Sequence, residues 1–234
     1  VLILKPGGGR GDRHLVAGAG LGAGRDRVQF GLAQRHRSRH PRGDTLAVLL
    51  PLEIRDGAAH RVQGQGPGSE SPGGLPPWWP RGWDGSTFVV VAGGPSNRRV
   101  DFEAARDAAR GQAVRWIAVN NAWTLVPWAD VLYGCDARWW RHHAGVGGFD
   151  GLRLTQSRAL KFPGVHRVEI QKVDQLLTDP KGVVGWGSNG GFQAINLAVQ
   201  FGARRLLLVG FDCSLEKGVH FHGSHPSPLT NPRQ

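Results

Sequence analysis

The chain has 234 residues and a mass of 25.3 kDa, room for one ordinary α/β domain with an excess or for two very small ones. Apolar residues at 40% and charged residues at 20% allow a packed core, and no apolar run approaches the ~20 residues of a membrane-spanning helix. The net charge of +11 is spread along the chain in short clusters with no interleaved aromatic platform, which argues against specific nucleic-acid binding and for a solvated basic surface.

Composition changes near Leu75. Before it stand sixteen glycines, ten arginines to one lysine, one aromatic residue (Phe30) and no tryptophan; all nine tryptophans follow it. Residues 1–75 lack core-forming bulk, so the expectation is a Gly/Arg-rich arm that is either disordered or a mis-called start, since out-of-frame translation of a GC-rich gene yields the same composition. The apolar start (Val1, Leu2, Ile3, Leu4) is too short for a signal-peptide core, which makes the cytoplasm the expected compartment. Gly18, Gly20 and Ala23 satisfy G-x-G-x-x-[G/A], but no adequate strand precedes them and no apolar-periodic helix follows, so no dinucleotide site is read there. Cys135 and Cys213 lie far apart and outside any C-x-x-C spacing, which indicates neither a disulfide framework nor a zinc knuckle.

From residue 76 to Gln234 the chain reads as a single domain, and whether its C-terminus is truncated is left open. After a linker-like Pro76-Pro77-Trp78-Trp79-Pro80, the β-branched run 87–91 reads as a strand buried on both faces, ending at Gly93-Gly94-Pro95-Ser96. Residues 100–110 read as a helix stopped by Gly111, and 116–119 as a second strand that runs straight into Asn120 and Asn121. Residues 129–133 read as a strand ending at Gly134-Cys135-Asp136, residues 138–143 as a short helix, and 166–170 as a further strand; Val183 and Val184 begin another. Ser188 or Asn189 can cap a helix carrying Phe192, Ile195 and Val199, closed by Gly202, and the apolar run 205–209 ends at Gly210-Phe211-Asp212. Strands alternating with helices predict a Rossmann-like α/β domain, a mostly parallel sheet with helices on both faces.

The polar and glycine-rich residues collect at strand ends, where ligands of such sheets bind. Residues 93–96 offer unhindered backbone N–H groups and a hydroxyl, suited to a phosphate or to a tight turn that binds nothing. Asn120 and Asn121 can hold a sugar, base or phosphate edge, or cap a turn. Asp212 and Asp136 end apolar strands, and a buried carboxylate there needs a partner or a ligand hydroxyl. His220-Phe221-His222-Gly223-Ser224-His225 places three imidazoles within six positions; they can act as general bases, ligate a metal with Asp212 as the nearest carboxylate by sequence, or line a polar loop.

In this order, Val91-Ala92-Gly93-Gly94-Pro95-Ser96, Ala118-Val119-Asn120-Asn121, Gly210-Phe211-Asp212 and His220 to His225 resemble the often phage-encoded proteins related to the hydroxymethylpterin diphosphokinase-like family, and more distantly the bacterial sialyltransferases that use CMP-sialic acid. The resemblance covers roughly residues 87–232. It implies nucleotide contacts from Gly94, Pro95, Ser96 and Asn120, a G-x-D at Gly210 and Asp212, and His220 as base; the strand-end reading adds Gly93, Asn121, Asp136 and Gly210 to the nucleotide set and Asp212 to the catalytic one, and the spacing of the histidines makes His222 the rival of His220. The expectation is a glycosyltransferase-like transferase that takes a nucleotide-activated donor of the CMP-sugar type, without a tightly bound cofactor. Two alternatives stay open: a diphosphokinase using ATP and Mg²⁺ on Asp136 and Asp212, and a phage accessory protein that keeps the fold without turnover. The oligomeric state is left open, and no membrane partner is expected.

Overall fold

A computed structural model of the chain describes residues 50–53, 75–213, 218–229 and 231; the G-x-G-x-x-[G/A] stretch and the basic run from Arg35 to Arg42 lie outside these. The apolar runs form strands β1 (Leu50–Glu53), β2 (Thr87–Val91), β3 (Val114–Val119), β4 (Val131–Tyr133), β5 (Leu152–Thr155), β6 (Val165–Arg167), β7 (Glu169–Gln171), β8 (Val183–Gly185) and β9 (Arg205–Val209). The helices are α1 (Phe102–Ala108), α2 (Ala137–His142) and α3 (Gly190–Gln200). No described helix is long and apolar enough to cross a membrane.

Seven strands make one sheet in the order β1-β9-β2-β3-β4-β5-β6, parallel except for β1, and β7 and β8 form a separate parallel pair. Strand side chains alternate between faces, and the packing follows that alternation. Phe88 and Val90 of β2, Ile117 and Val119 of β3, and Leu206 and Leu208 of β9 pack with Ala194, Leu197 and Ala198 of α3. Val89, Val91, Trp116, Ala118, Leu132 and Val209 point the other way, to Phe102 of α1 and to Trp139 and Trp140 of α2. Helices therefore cover both faces, and burial of each of these Val, Leu, Ile and Phe side chains is worth roughly 1.5–3 kcal/mol.

Within the segment read as a Gly/Arg-rich arm, residues 50–53 form β1, which pairs antiparallel with β9 from Leu50↔Leu208 to Glu53↔Arg205. Pro51 fits there because an edge strand tolerates a missing donor. The linker-like 76–80 stretch is part of the core: Trp79 packs edge-on against Phe201 at 4.8 Å between ring centroids, and Trp83 at 5.6 Å. The single strand expected over 166–170 is two, because Val168, 1% exposed, turns the chain from the main sheet into the small one while its N–H bonds the Thr155 carbonyl. The polar residues of α3 also face inward: Gln193, Asn196 and Gln200 are all buried. Asn196 accepts from the Leu177 and Gly185 N–H groups and donates to the Leu177 carbonyl, while Gln200 joins Gly182, Leu177 and Val183.

Candidate functional site

Strand order runs outward from β2 through β3, β4, β5 and β6, then returns so that β9 lies on the other side of β2. The reversal lies between β2 and β9, and the loops leaving their C-terminal ends lie where ligands of open parallel sheets bind. The loop after β2 holds Gly93, Gly94 and a 3-10 turn, Pro95–Arg99; the loop after β9 holds Gly210 and Asp212.

These two loops are bonded together. The Gly94 N–H donates to the Gly210 carbonyl at 2.8 Å. The Ser96 hydroxyl donates to Asp212 Oδ2 at 2.8 Å, and the Ser96 N–H reaches the same oxygen at 3.3 Å. A Cβ on Gly94 would overlap the Asp212 carboxylate and the Gly210 carbonyl, so only glycine permits the approach. Gly210 has φ +73°, and a Cβ there would meet Asn97, whose Nδ2 donates to the Ala92 carbonyl at 2.6 Å. The Ser96 donors read from sequence as an anion cradle are thus engaged by the chain's own carboxylate. Nothing among the described residues donates to Asp212 Oδ1.

A third loop packs on the turn after β2. The Phe221 N–H donates to the Gly93 carbonyl at 2.9 Å, and Arg98 donates from Nε to the Phe221 carbonyl at 2.8 Å and from Nη2 to the His220 carbonyl at 3.1 Å. The ring of His220 stands over Gly93, where a Cβ would lie 3.2 Å from Nδ1. Asn231 fixes the far end, accepting from the His225 N–H at 2.6 Å and donating to its carbonyl at 3.1 Å. His220, His222 and His225 consequently pack ring to ring with centroids 4.6–5.0 Å apart. Burial depresses all three pKa values; at His222, repulsion from His225 and His220 adds to burial and takes it down to about 4. A contact with the Gly93 backbone partly offsets the drop at His220. Three uncharged imidazoles therefore sit beside the 93–96 turn at neutral pH.

Gly93, Gly94, Pro95, Ser96, Gly210, Asp212, His220 and His222 come together in this way. Asn120 and Asn121 follow β3, one strand away. Asn120 has φ +50° and a buried Oδ1 with no bonding partner among the described residues, whereas Asn121 Oδ1 accepts from the Trp139 indole at 2.6 Å. Asp136 lies apart: it caps α2, accepting from the Arg138 N–H at 2.8 Å, and β4 stands three strand spacings from β9, about 14 Å. Asp136 and Asp212 do not meet around one ion. Asp212 likewise turns to Ser96 and is not a member of the histidine group. Cys135 and Cys213 are free thiols whose pKa values burial raises, and neither is an activated nucleophile.

Sequence reasoning missed two participants. Arg98 read only as half of a short basic pair, and its position directly after the 93–96 turn was the available signal. His143 lies near enough for its charge to lower the pKa values of His222 and His225, and its buried Nε2 has no partner among the described residues; nothing in its local sequence pointed to this site. At the far side of the sheet, an open cleft of about 460 Å³ is lined by Gln156, Arg158, Glu169, Ile170, Lys172 and Trp186.

No family model matches the chain, and the searches of curated proteins and of solved structures returned no match.

Proposed function

We propose that the protein is a glycosyltransferase-like enzyme with a Rossmann-like fold that takes a nucleotide-activated donor, of the CMP-sugar type, in the crevice between the ends of β2 and β9. The observation that carries the reading is the meeting, at the reversal of strand order, of the 93–96 turn, Gly210, Asp212 and a cluster of neutral histidines. Ligands of open parallel sheets bind outside the carboxyl ends of the strands at such a reversal.

Asp212 makes this wall negative, which suits the hydroxyl groups of a ribose or sugar. Its Oδ1 can accept from such a hydroxyl, whereas a phosphate placed against it is repelled. The acceptor hydroxyl must lose a proton as the nucleotide departs, and His220, over Gly93, is placed to take it, with His222 next in line. A positioned base of this kind typically contributes about 10²–10⁴-fold. The ATP and Mg²⁺ alternative draws no support from the separated Asp136 and Asp212.

The test is a thermal-shift series with CMP, UDP and ATP, with and without Mg²⁺, followed by donor hydrolysis with the matching nucleotide sugar. A ligand that binds only the native state raises the midpoint by mass action. His220→Ala should lower turnover by about 10²–10⁴-fold and leave nucleotide binding intact. Binding without turnover by the wild-type chain would assign an accessory role, and no binding to any nucleotide would end the reading.

A further inference from the structure

We propose that His220, His222 and His225 form a binding site for a divalent transition-metal ion of the zinc class. One potential ligand nitrogen from each ring falls in a group no more than 4.8 Å across. Three nitrogens at zinc's ~2.0–2.1 Å bond length in a tetrahedral set are about 3.3 Å apart, so binding draws the rings inward by a side-chain movement and needs no refolding.

Two features separate this cluster from a polar loop. First, its backbone is held at both ends, by Arg98 and the Gly93 carbonyl at residues 220 and 221 and by the two bonds of Asn231 at His225. A loop with no task for its side chains has no need of such restraint. Second, His220 Nε2 and His225 Nδ1 are buried with no hydrogen-bond partner among the described residues. An unpartnered buried ring nitrogen is costly, and coordination is one way to satisfy it.

The donor set selects the ion. Imidazole nitrogens suit Zn²⁺, Co²⁺, Ni²⁺ and Cu²⁺, while Mg²⁺ and Ca²⁺ require oxygen ligands, and among the described residues no carboxylate joins the cluster. Three protein ligands leave a fourth position open to water or substrate, the arrangement of reactive rather than structural zinc. Coordination and proton abstraction draw on ring lone pairs, so His220 acts as the base only when the site is empty. The inference is independent of the transferase reading, because the ion needs no nucleotide in order to bind.

The full-length chain, stripped with EDTA, is titrated with Zn²⁺ by calorimetry and with Co²⁺ by visible absorption, with no nucleotide present. One ion per chain is expected, with a tetrahedral cobalt spectrum free of thiolate charge transfer. His225→Gln and His222→Gln, checked for folding by circular dichroism, should each weaken Zn²⁺ binding by about 100-fold or more, whereas His166→Gln, outside the cluster, leaves it unchanged. Equal affinity in wild type and His225→Gln, or a thiolate band, overturns the proposal. Should both variants fail to fold, X-ray absorption of the zinc-loaded wild type decides: three imidazoles in the shell support the site, and two or fewer, or any sulfur, overturn it.

Discussion

Ser96 and Asp212, 116 residues apart in sequence, share one carboxylate oxygen through two bonds: the Ser96 hydroxyl and the Ser96 N–H both donate to Asp212 Oδ2. This contact ties the turn after β2 to the turn after β9 at the C-terminal ends of the two strands. Hydrogen bonds to a charged group are worth about 1.5–3 kcal/mol. Ser96→Ala and Asp212→Ala should therefore each lower stability by about 1–2 kcal/mol in urea unfolding, and the double variant by little more than either alone. Fully additive losses would mean that the two side chains are not coupled in solution.

Gly94 is held by the same packing. Its missing Cβ leaves room for Asp212 and the Gly210 carbonyl, so Gly94→Ala must push apart the loops that follow β2 and β9. Overpacking of this kind costs about 1–3 kcal/mol. The variant should show a lower denaturation midpoint even with no ligand present, and an unchanged midpoint would mean that the loops part easily.

The strands β2, β3 and β9 were legible because continuous β-branched and leucine runs have few alternatives, and α3 was legible from Phe192, Ile195 and Val199 with Asn189 as its cap. The residues that end those strands were legible as well. Their adjacency was not: nothing local to residues 205–212 says that β9 returns beside β2, and that return brings Asp212 to Ser96. β5 escaped notice because Leu-Arg-Leu-Thr is short and carries a charge, and its Arg153 is engaged with the Gly145 and Pro163 carbonyls. Gln193, Asn196 and Gln200 resemble a solvent face in sequence; they are buried because irregular backbone over residues 177–186 needs side-chain partners.

That buried polar face is a stability determinant. Asn196→Leu keeps the volume and removes the partner of the Leu177 and Gly185 N–H groups, each then costing about 1–3 kcal/mol if left unsatisfied. Thermal unfolding should shift down accordingly, and more than for Val199→Ala on the partly exposed side of the same helix. Equal shifts would show that the amide network contributes little.

β1 covers the outer edge of β9. Removing residues 1–74 exposes the row of β9 backbone groups that β1 now pairs, whereas removing residues 1–45 leaves that pairing in place. The longer deletion should lower the thermal midpoint relative to the shorter and increase self-association in light scattering, since an uncovered edge strand templates pairing with another chain. Identical behaviour of the two truncations would show that β1 adds nothing to the sheet.

Arg98 links the 93–96 turn to the histidine loop, and its effect should be local. It is exposed, so losing its two bonds in Arg98→Ala should cost about 1 kcal/mol of global stability at most. The carbonyls of His220 and Phe221 would nevertheless be released, and with them the Phe221 N–H that rests on Gly93. Amide exchange at Phe221 and Gly223 should then quicken well beyond what the global change explains, because local opening is governed by the bonds that close it. Arg98→Lys should not rescue the effect, since a single ammonium lacks the planar fork that reaches two successive carbonyls. Zinc affinity gives a second readout: a loop that samples open states presents three rings together for a smaller share of the time, so Arg98→Ala should bind more weakly although no ligand is altered. Unchanged exchange at residues 221 and 223, together with unchanged zinc affinity, would show that the loop is held by Gly93 and Asn231 alone.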